Sequence, residues 1–192
     1  MKDIPITENT RLVSFDIKDL YTSIPIKDTI NILHNKLTKE FPPEYTDQLT
    51  YTTKPILKQN YFKFNGRTYK PQDGLGMGNP TSAYLSEAFL QHQEEIAIPK
   101  IMMKHGIKLY NRYVDDTFCI LERDNAQDNL DVLDNFNKIH PNIKYTMEIE
   151  THISINFLDI TITRENNTLT YNIYRKPTTT DTTIHASSNH PT

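Results

Sequence analysis

Apolar positions along the chain switch repeatedly between two periods. Arg11 to Ile17 is a short apolar strand pattern that carries an acid, Asp16, near its end. Pro25 opens a helical pattern, with Ile26, Ile30, Leu33 and Leu37 on one face. Pro42-Pro43 breaks it, and Glu44 to Leu57 follows as a helical stretch. Tyr61 to Phe64, Asn65-Gly66 and Arg67 to Tyr69 predict a hairpin, because Asn-Gly suits a type I′ turn. A further helix is expected from Pro80 to about Ile98, carried by Tyr84, Leu85, Ala88, Phe89 and His92. Leu109–Val114 and Thr117–Leu121 are strand-like runs around Asp115-Asp116. Asn125 to Ile139 predicts a helix with Leu130, Leu133 and Phe136 inward. Ile143–Ile149, Asn156–Thr163 and Leu169–Tyr174 are the last three predicted strands. This order predicts an α+β fold, an antiparallel sheet packed on helices. The Thr/Ser-rich stretch 179–192 has no core pattern and is expected to be a poorly ordered tail.

Composition narrows the function classes. The chain has 192 residues, one Cys and no Trp. One Cys excludes an intramolecular disulfide framework and a Cys-based zinc module. Roughly a quarter of the residues are Leu, Ile, Val or Phe, above the level of about 20% below which disorder is expected. No apolar run approaches a membrane span, and the first residues lack a signal-peptide pattern. No membrane partner is therefore expected. The net charge of −3 argues against binding polyanions over the whole surface, though not against a local basic groove. Only five glycines occur, and Gly74, Gly76 and Gly78 fall together.

Three constellations carry chemistry. Tyr113-Val114-Asp115-Asp116 places two acids at a predicted hairpin tip. Facing carboxylates repel unless a cation offsets them; the plain alternative is a solvated turn. Asp16 sits near the carboxyl end of a strand, as a lone acid or as a cap. A third carboxylate from another strand would complete a two-metal site. Gly74 to Ser82 is a Gly-rich turn leading into a helix, a geometry that lets backbone N–H groups approach phosphates. It lacks the Lys-Ser/Thr of a P-loop. Tyr21 lies close enough to Asp16 to flank a substrate, or is ordinary half-buried packing. Together the three point to a phosphoryl or nucleotidyl transferase.

On these residues the chain resembles the palm of a reverse transcriptase, most closely that of Penelope-like retroelements. Ser14 to Pro25 resembles the first palm motif, Gly74 to Ser82 the second, and Arg112-Tyr113-Val114-Asp115-Asp116 the third. Phe157-Leu158-Asp159-Ile160 and Tyr174-Arg175-Lys176-Pro177-Thr178 resemble two downstream blocks. All five stand in the family's order.

The resemblance implies a polymerase palm with an RRM-like core over residues 1–178, with fingers and thumb largely missing. It implies an RNA template, a DNA primer, dNTP and two Mg²⁺ ions as partners. Asp16 and Asp115 would hold the ions, with Asp116 nearby and the Ile17 carbonyl assisting. Tyr21 would gate the sugar, and Met77 and Gly78 would lie against the nucleotide. Lys144 would protonate the leaving pyrophosphate. Phe157 and Leu158 would hold the primer end, and Arg175 and Lys176 would touch the nucleic-acid backbone. An inactive retroelement fragment with at most weak nucleic-acid binding is the alternative. A viral RNA-dependent RNA polymerase is disfavoured by Tyr21 and by Val114. The sequence sets no oligomeric state.

Overall fold

The structure, a computed structural model, describes residues 4–122 and 128–178. The expected tail at 179–192 and the start of the expected helix at Asn125 lie outside them. The elements run β1 (Thr10–Ile17), α1 (Leu20–Ser23), α2 (Ile26–Leu37), α3 (Pro43–Lys58), β2 (Phe62–Phe64), β3 (Arg67–Tyr69) and α4 (Ser82–His105). They continue β4 (Ile107–Tyr113), β5 (Asp116–Glu122), α5 (Asp128–Asn137), β6 (Tyr145–Ile149), β7 (Ser154–Phe157), β8 (Ile160–Glu165) and β9 (Thr168–Ile173). The main sheet has the order β4-β5-β1-β6, with every pair antiparallel. With α4 between β1 and β4, and α5 between β5 and β6, this is a β-α-β-β-α-β arrangement. It matches the expected RRM-like core.

Strand alternation assigns the two faces of this sheet. Val13, Phe15 and Ile17 of β1, with Cys119 and Leu121 of β5, join Leu85, Phe89, Val132 and Phe136 of the helices in the larger core. Phe15 stacks on Phe136 with ring centroids 4.2 Å apart. Each such fully buried side chain stabilises the fold by roughly 1.5–3 kcal/mol. Leu12, Phe118 and Ile120 point the other way and pack against Ile155 and Ile162 of the three-stranded sheet β7-β8-β9. That second sheet covers only part of the helix-free face. The uncovered part is the end that carries Asp16 and Asp116.

Three expectations are corrected. Asn156–Thr163 is two strands, not one. Leu158 takes φ 54° and turns the chain, so that Phe157 pairs with Ile160. The apolar positions change parity there, from Ile155 and Phe157 to Leu158, Ile160 and Ile162, but no Gly or Asn marks the turn. Leu130 is 64% exposed, whereas Val132 is fully buried. At 100° per residue Leu130 lies about 120° around the helix from Phe136, while Val132 is only about 40° from it. The helix expected from Pro80 to Ile98 runs instead from Ser82 to His105. Asn79 Oδ1 accepts from the Thr81 N–H and hydroxyl ahead of it, and Gly106 at φ 64° closes it. Among the described residues, no helix is long and apolar enough to cross a membrane.

Candidate active site

The site begins with register. Asp16 of β1 is the cross-strand partner of Asp116 of β5, and on its other side it pairs with Thr146 of β6. Parity puts Asp16, Ser14, Asp116, Thr146 and Glu148 on the helix-free face. Here they form the floor of a cleft of about 470 Å³. The second sheet supplies the wall through Phe157, Leu158 and Asp159, and Tyr174 and Lys176 close it from the segment after β9. The fold thus brings Asp16, Asp116, Phe157, Leu158 and Lys176 into one cleft. It also adds Glu148, which no motif singles out. The signal for Glu148 is the alternation of β6, where Thr146 and Glu148 oppose the apolar Tyr145 and Met147.

Asp115 lies in the two-residue turn between Tyr113 and Asp116, outside the cleft's lining. Its carbonyl accepts from the Ile17 N–H at 3.2 Å, which ties the turn to the end of β1. Val114, the other turn residue, has φ 57°. A β-branched residue in the left-handed region is strained by about 1–3 kcal/mol and persists only where its surroundings enforce it. Arg112 supplies that enforcement. Its guanidinium is 5% exposed and donates to the Val114 carbonyl at 2.9 Å. It is anchored on α4 by Glu87 at 2.8 and 3.0 Å, and by Glu94 at 2.5 and 3.1 Å. The Tyr110 hydroxyl donates to Glu94 at 2.6 Å. Arg112 belongs to the quoted third motif, but its partners Glu87 and Glu94 carry no sequence mark.

The electrostatics are those of crowded acids. Burial, and next the charge of Asp115, raise Asp16 above the usual carboxylate range, with Lys18 opposing. Burial, then Asp115, then Asp16 raise Asp116, with Lys176 opposing. Arg112, by hydrogen bonding, holds Glu87 below its ordinary range. Mutual repulsion of this kind is relieved by a hard cation, and carboxylate oxygens are the donors Mg²⁺ takes. The donor chemistry therefore fits a divalent metal. Among the described residues, however, no three His, Cys, Asp or Glu side chains form a ready-made metal cluster. Mg²⁺ commonly completes its shell with water and substrate phosphates rather than protein.

The Gly-rich loop lies against α1. The Leu75 N–H donates to the Tyr21 carbonyl at 2.7 Å. Gly74 has φ 93°, and a Cβ there would sit 2.4 Å from the Thr22 carbonyl oxygen. A Cβ on Gly76 would meet the Asn60 side chain at 3.0 Å, whereas one on Gly78 would meet nothing within 4 Å. Two of the three glycines thus serve contacts within the protein, and only Gly78 faces open space. Met77 is exposed and Tyr21 is half-buried. Lys144 is exposed, and its carbonyl accepts from the Lys18 N–H at 2.8 Å, next to Ile17, which pairs with Tyr145. Arg175 is exposed beside Lys176.

No family model matches the sequence, and neither does any curated protein. Solved structures match the fold. The apo telomerase of Candida tropicalis, truncated from its C-terminal domain, aligns with a TM-score of 0.63 at 12% identity, over 89% of this chain and 36% of that one. The Candida albicans telomerase, in complex with a TWJ fragment of telomeric RNA, aligns with a TM-score of 0.67 at 12% identity, over 87% and 31%. The BmCPV RNA-dependent RNA polymerase at its elongation state aligns with a TM-score of 0.54 at 13% identity, over 85% and 16%. The chain has a nucleic-acid polymerase-like fold and spans about a third or less of the length of these neighbours.

Proposed function

We propose that residues 1–178 are the palm of an RNA-directed DNA polymerase of the Penelope-like type. The observation that carries this reading is the cross-strand pairing of Asp16 with Asp116, beside the Asp115 turn, at the uncovered end of the sheet. The reaction is attack of a primer 3′-oxygen on the α-phosphorus of a dNTP, with release of pyrophosphate. The template is RNA; an RNA partner is in keeping with the Candida albicans neighbour, which is in complex with a TWJ fragment of telomeric RNA.

Asp16, Asp115, Asp116 and the Ile17 carbonyl would hold two Mg²⁺ ions. When bound, these ions would activate the attacking oxygen and stabilise the leaving oxygens. Tyr21 lies under the incoming sugar and excludes a 2′-hydroxyl. Met77 and Gly78 lie against the nucleotide; the exposure of Met77 and the open space at Gly78 leave room for it. Lys144 gives a proton to the departing pyrophosphate. Phe157 and Leu158 seat the primer end at the cleft wall, and Arg175 and Lys176 meet backbone phosphates.

Primer extension on an RNA template tests the reading, with the chain joined to fingers and thumb segments. The expected result is Mg²⁺-dependent DNA synthesis that Asp115→Ala abolishes. Synthesis that survives Asp115→Ala would overturn the assignment. No synthesis by a folded, RNA-bound protein would favour an inactive retroelement fragment.

A further inference from the structure

The β2–β3 hairpin does not line the cleft of Asp16 and Asp116, and it combines exposed aromatic with basic side chains. Between Asp47 and Asp73 the chain contains no acid but five basic residues: Lys54, Lys58, Lys63, Arg67 and Lys70. This is a local excess within a chain of net charge −3. The same stretch carries Tyr61, Phe62, Phe64 and Tyr69, all exposed, Phe64 at 70%. Asn65 at φ 46° and Gly66 at φ 72° form the turn, so Phe62 pairs with Tyr69 and Phe64 with Arg67. Alternation puts these four side chains on one face. Phe62 and Tyr69 are stacked, with centroids 5.6 Å apart. Lys70 lies 5.8 Å from the Tyr61 ring centroid.

A cleft of about 550 Å³ between α2, α3 and the Gly-rich loop continues the positive surface, lined by Lys27, Lys54 and Lys58. Asp73 also lines it, but its Oδ1 is taken by the N–H groups of Ile26 and Gly74 at 3.0 and 2.9 Å. Asn60, at the hairpin's base, accepts from the Asn79 side chain at 3.2 Å, which fixes the hairpin beside the Gly-rich loop.

We propose that this hairpin face and the adjoining lysines bind a single-stranded polynucleotide. Exposed aromatics interleaved with cations are what such a strand requires: bases stack on the rings while phosphates meet the lysines. The charge is complementary to a phosphate backbone, whereas an apolar protein partner would have to desolvate Arg67 and the neighbouring lysines. Naming the strand as the unpaired template rests on the polymerase reading; the binding itself does not, since it needs neither metal nor dNTP.

The test uses the full chain and a fluorescent oligouridylate, read by anisotropy. Phe62→Ala combined with Phe64→Ala should weaken single-strand binding by about tenfold or more, since each stacked base contributes about 1–3 kcal/mol. Lys58→Ala with Arg67→Ala should lower the salt dependence. Met103→Ala, an exposed side chain at the far end of α4, should change neither. Because the chain has no Trp, Phe62→Trp adds a single reporter, and its fluorescence should be quenched by the oligonucleotide. Unchanged affinity in the double Phe variant, or an indole reporter that stays unquenched at saturation, overturns the proposal. So does a sedimentation result in which the hairpin variants dissolve a dimer without altering RNA affinity. If primer extension fails while this binding and its variant pattern persist, the binding proposal stands and the polymerase assignment falls.

Discussion

Asp16 and Asp116 hold charge at a cost to the fold, partly desolvated and beside other carboxylates. Burial and Asp115 raise both carboxyl groups, so the folded chain keeps their protons more tightly than the unfolded chain does. Stability therefore falls as pH rises from the ordinary aspartate range through their folded values, because there the folded state binds more protons. Asp116→Asn should raise Tm at neutral pH. The gain should vanish below the ordinary aspartate range, where both carboxyls are protonated in either state. Thermal unfolding of wild type and variant at the two pH values measures it; a lower Tm for the variant at neutral pH would refute the repulsion argument. At this scale the acids were legible, because Asp is costly beside apolar strands. Glu148 was not, since its place depends on the β1–β6 register. The clamp of Arg112 on Glu87 and Glu94 was not legible either, because those acids sit on α4, far from Arg112 in sequence.

Elements with a strong local signal formed where their residues predict. The Asn65-Gly66 turn and the Ile30/Leu33 face of α2 are set by local chemistry, the first by positive φ and the second by helical spacing. Tertiary context decided the others. Leu158, not a Gly or Asn, takes the positive-φ position of the Leu158-Asp159 turn, and α4 continues past Pro99 until Gly106. The Gly-rich loop shows how a local motif divides its labour. Gly74 admits the Thr22 backbone at a distance no Cβ tolerates, in a conformation L-residues avoid. Gly74→Ala should cost about 2 kcal/mol or more, through overpacking and strain together. Gly78→Ala should leave stability nearly unchanged and act, under the polymerase reading, on nucleotide affinity. Urea unfolding of the two variants separates them, and equal losses would remove the distinction.

At the level of the whole molecule, the cleft exists because two sheets are held face to face. One part of that contact is apolar, from Leu12, Phe118 and Ile120 against Ile155 and Ile162. The other part is ionic. Arg164 of β8 donates to Glu150 at 2.6 and 2.8 Å, and Glu150 also accepts from the Leu12 N–H of β1 at 3.3 Å. The Glu150 side chain is only 5% exposed. Removing Arg164 leaves that carboxylate buried with one weak partner, a change that costs about 3–5 kcal/mol. The motifs at Asp16 and Asp115 give no hint of this pair, yet it positions the wall that carries Phe157 and Leu158. Arg164→Ala should therefore loosen β7, β8 and β9 before the main sheet. Hydrogen exchange should accelerate in those three strands, while β1 and β5, paired on both edges and buried on both faces over most of their length, keep their protection. Uniform acceleration across both sheets would mean that they unfold as one unit, and that the cleft wall has no independent hinge on the palm-like core.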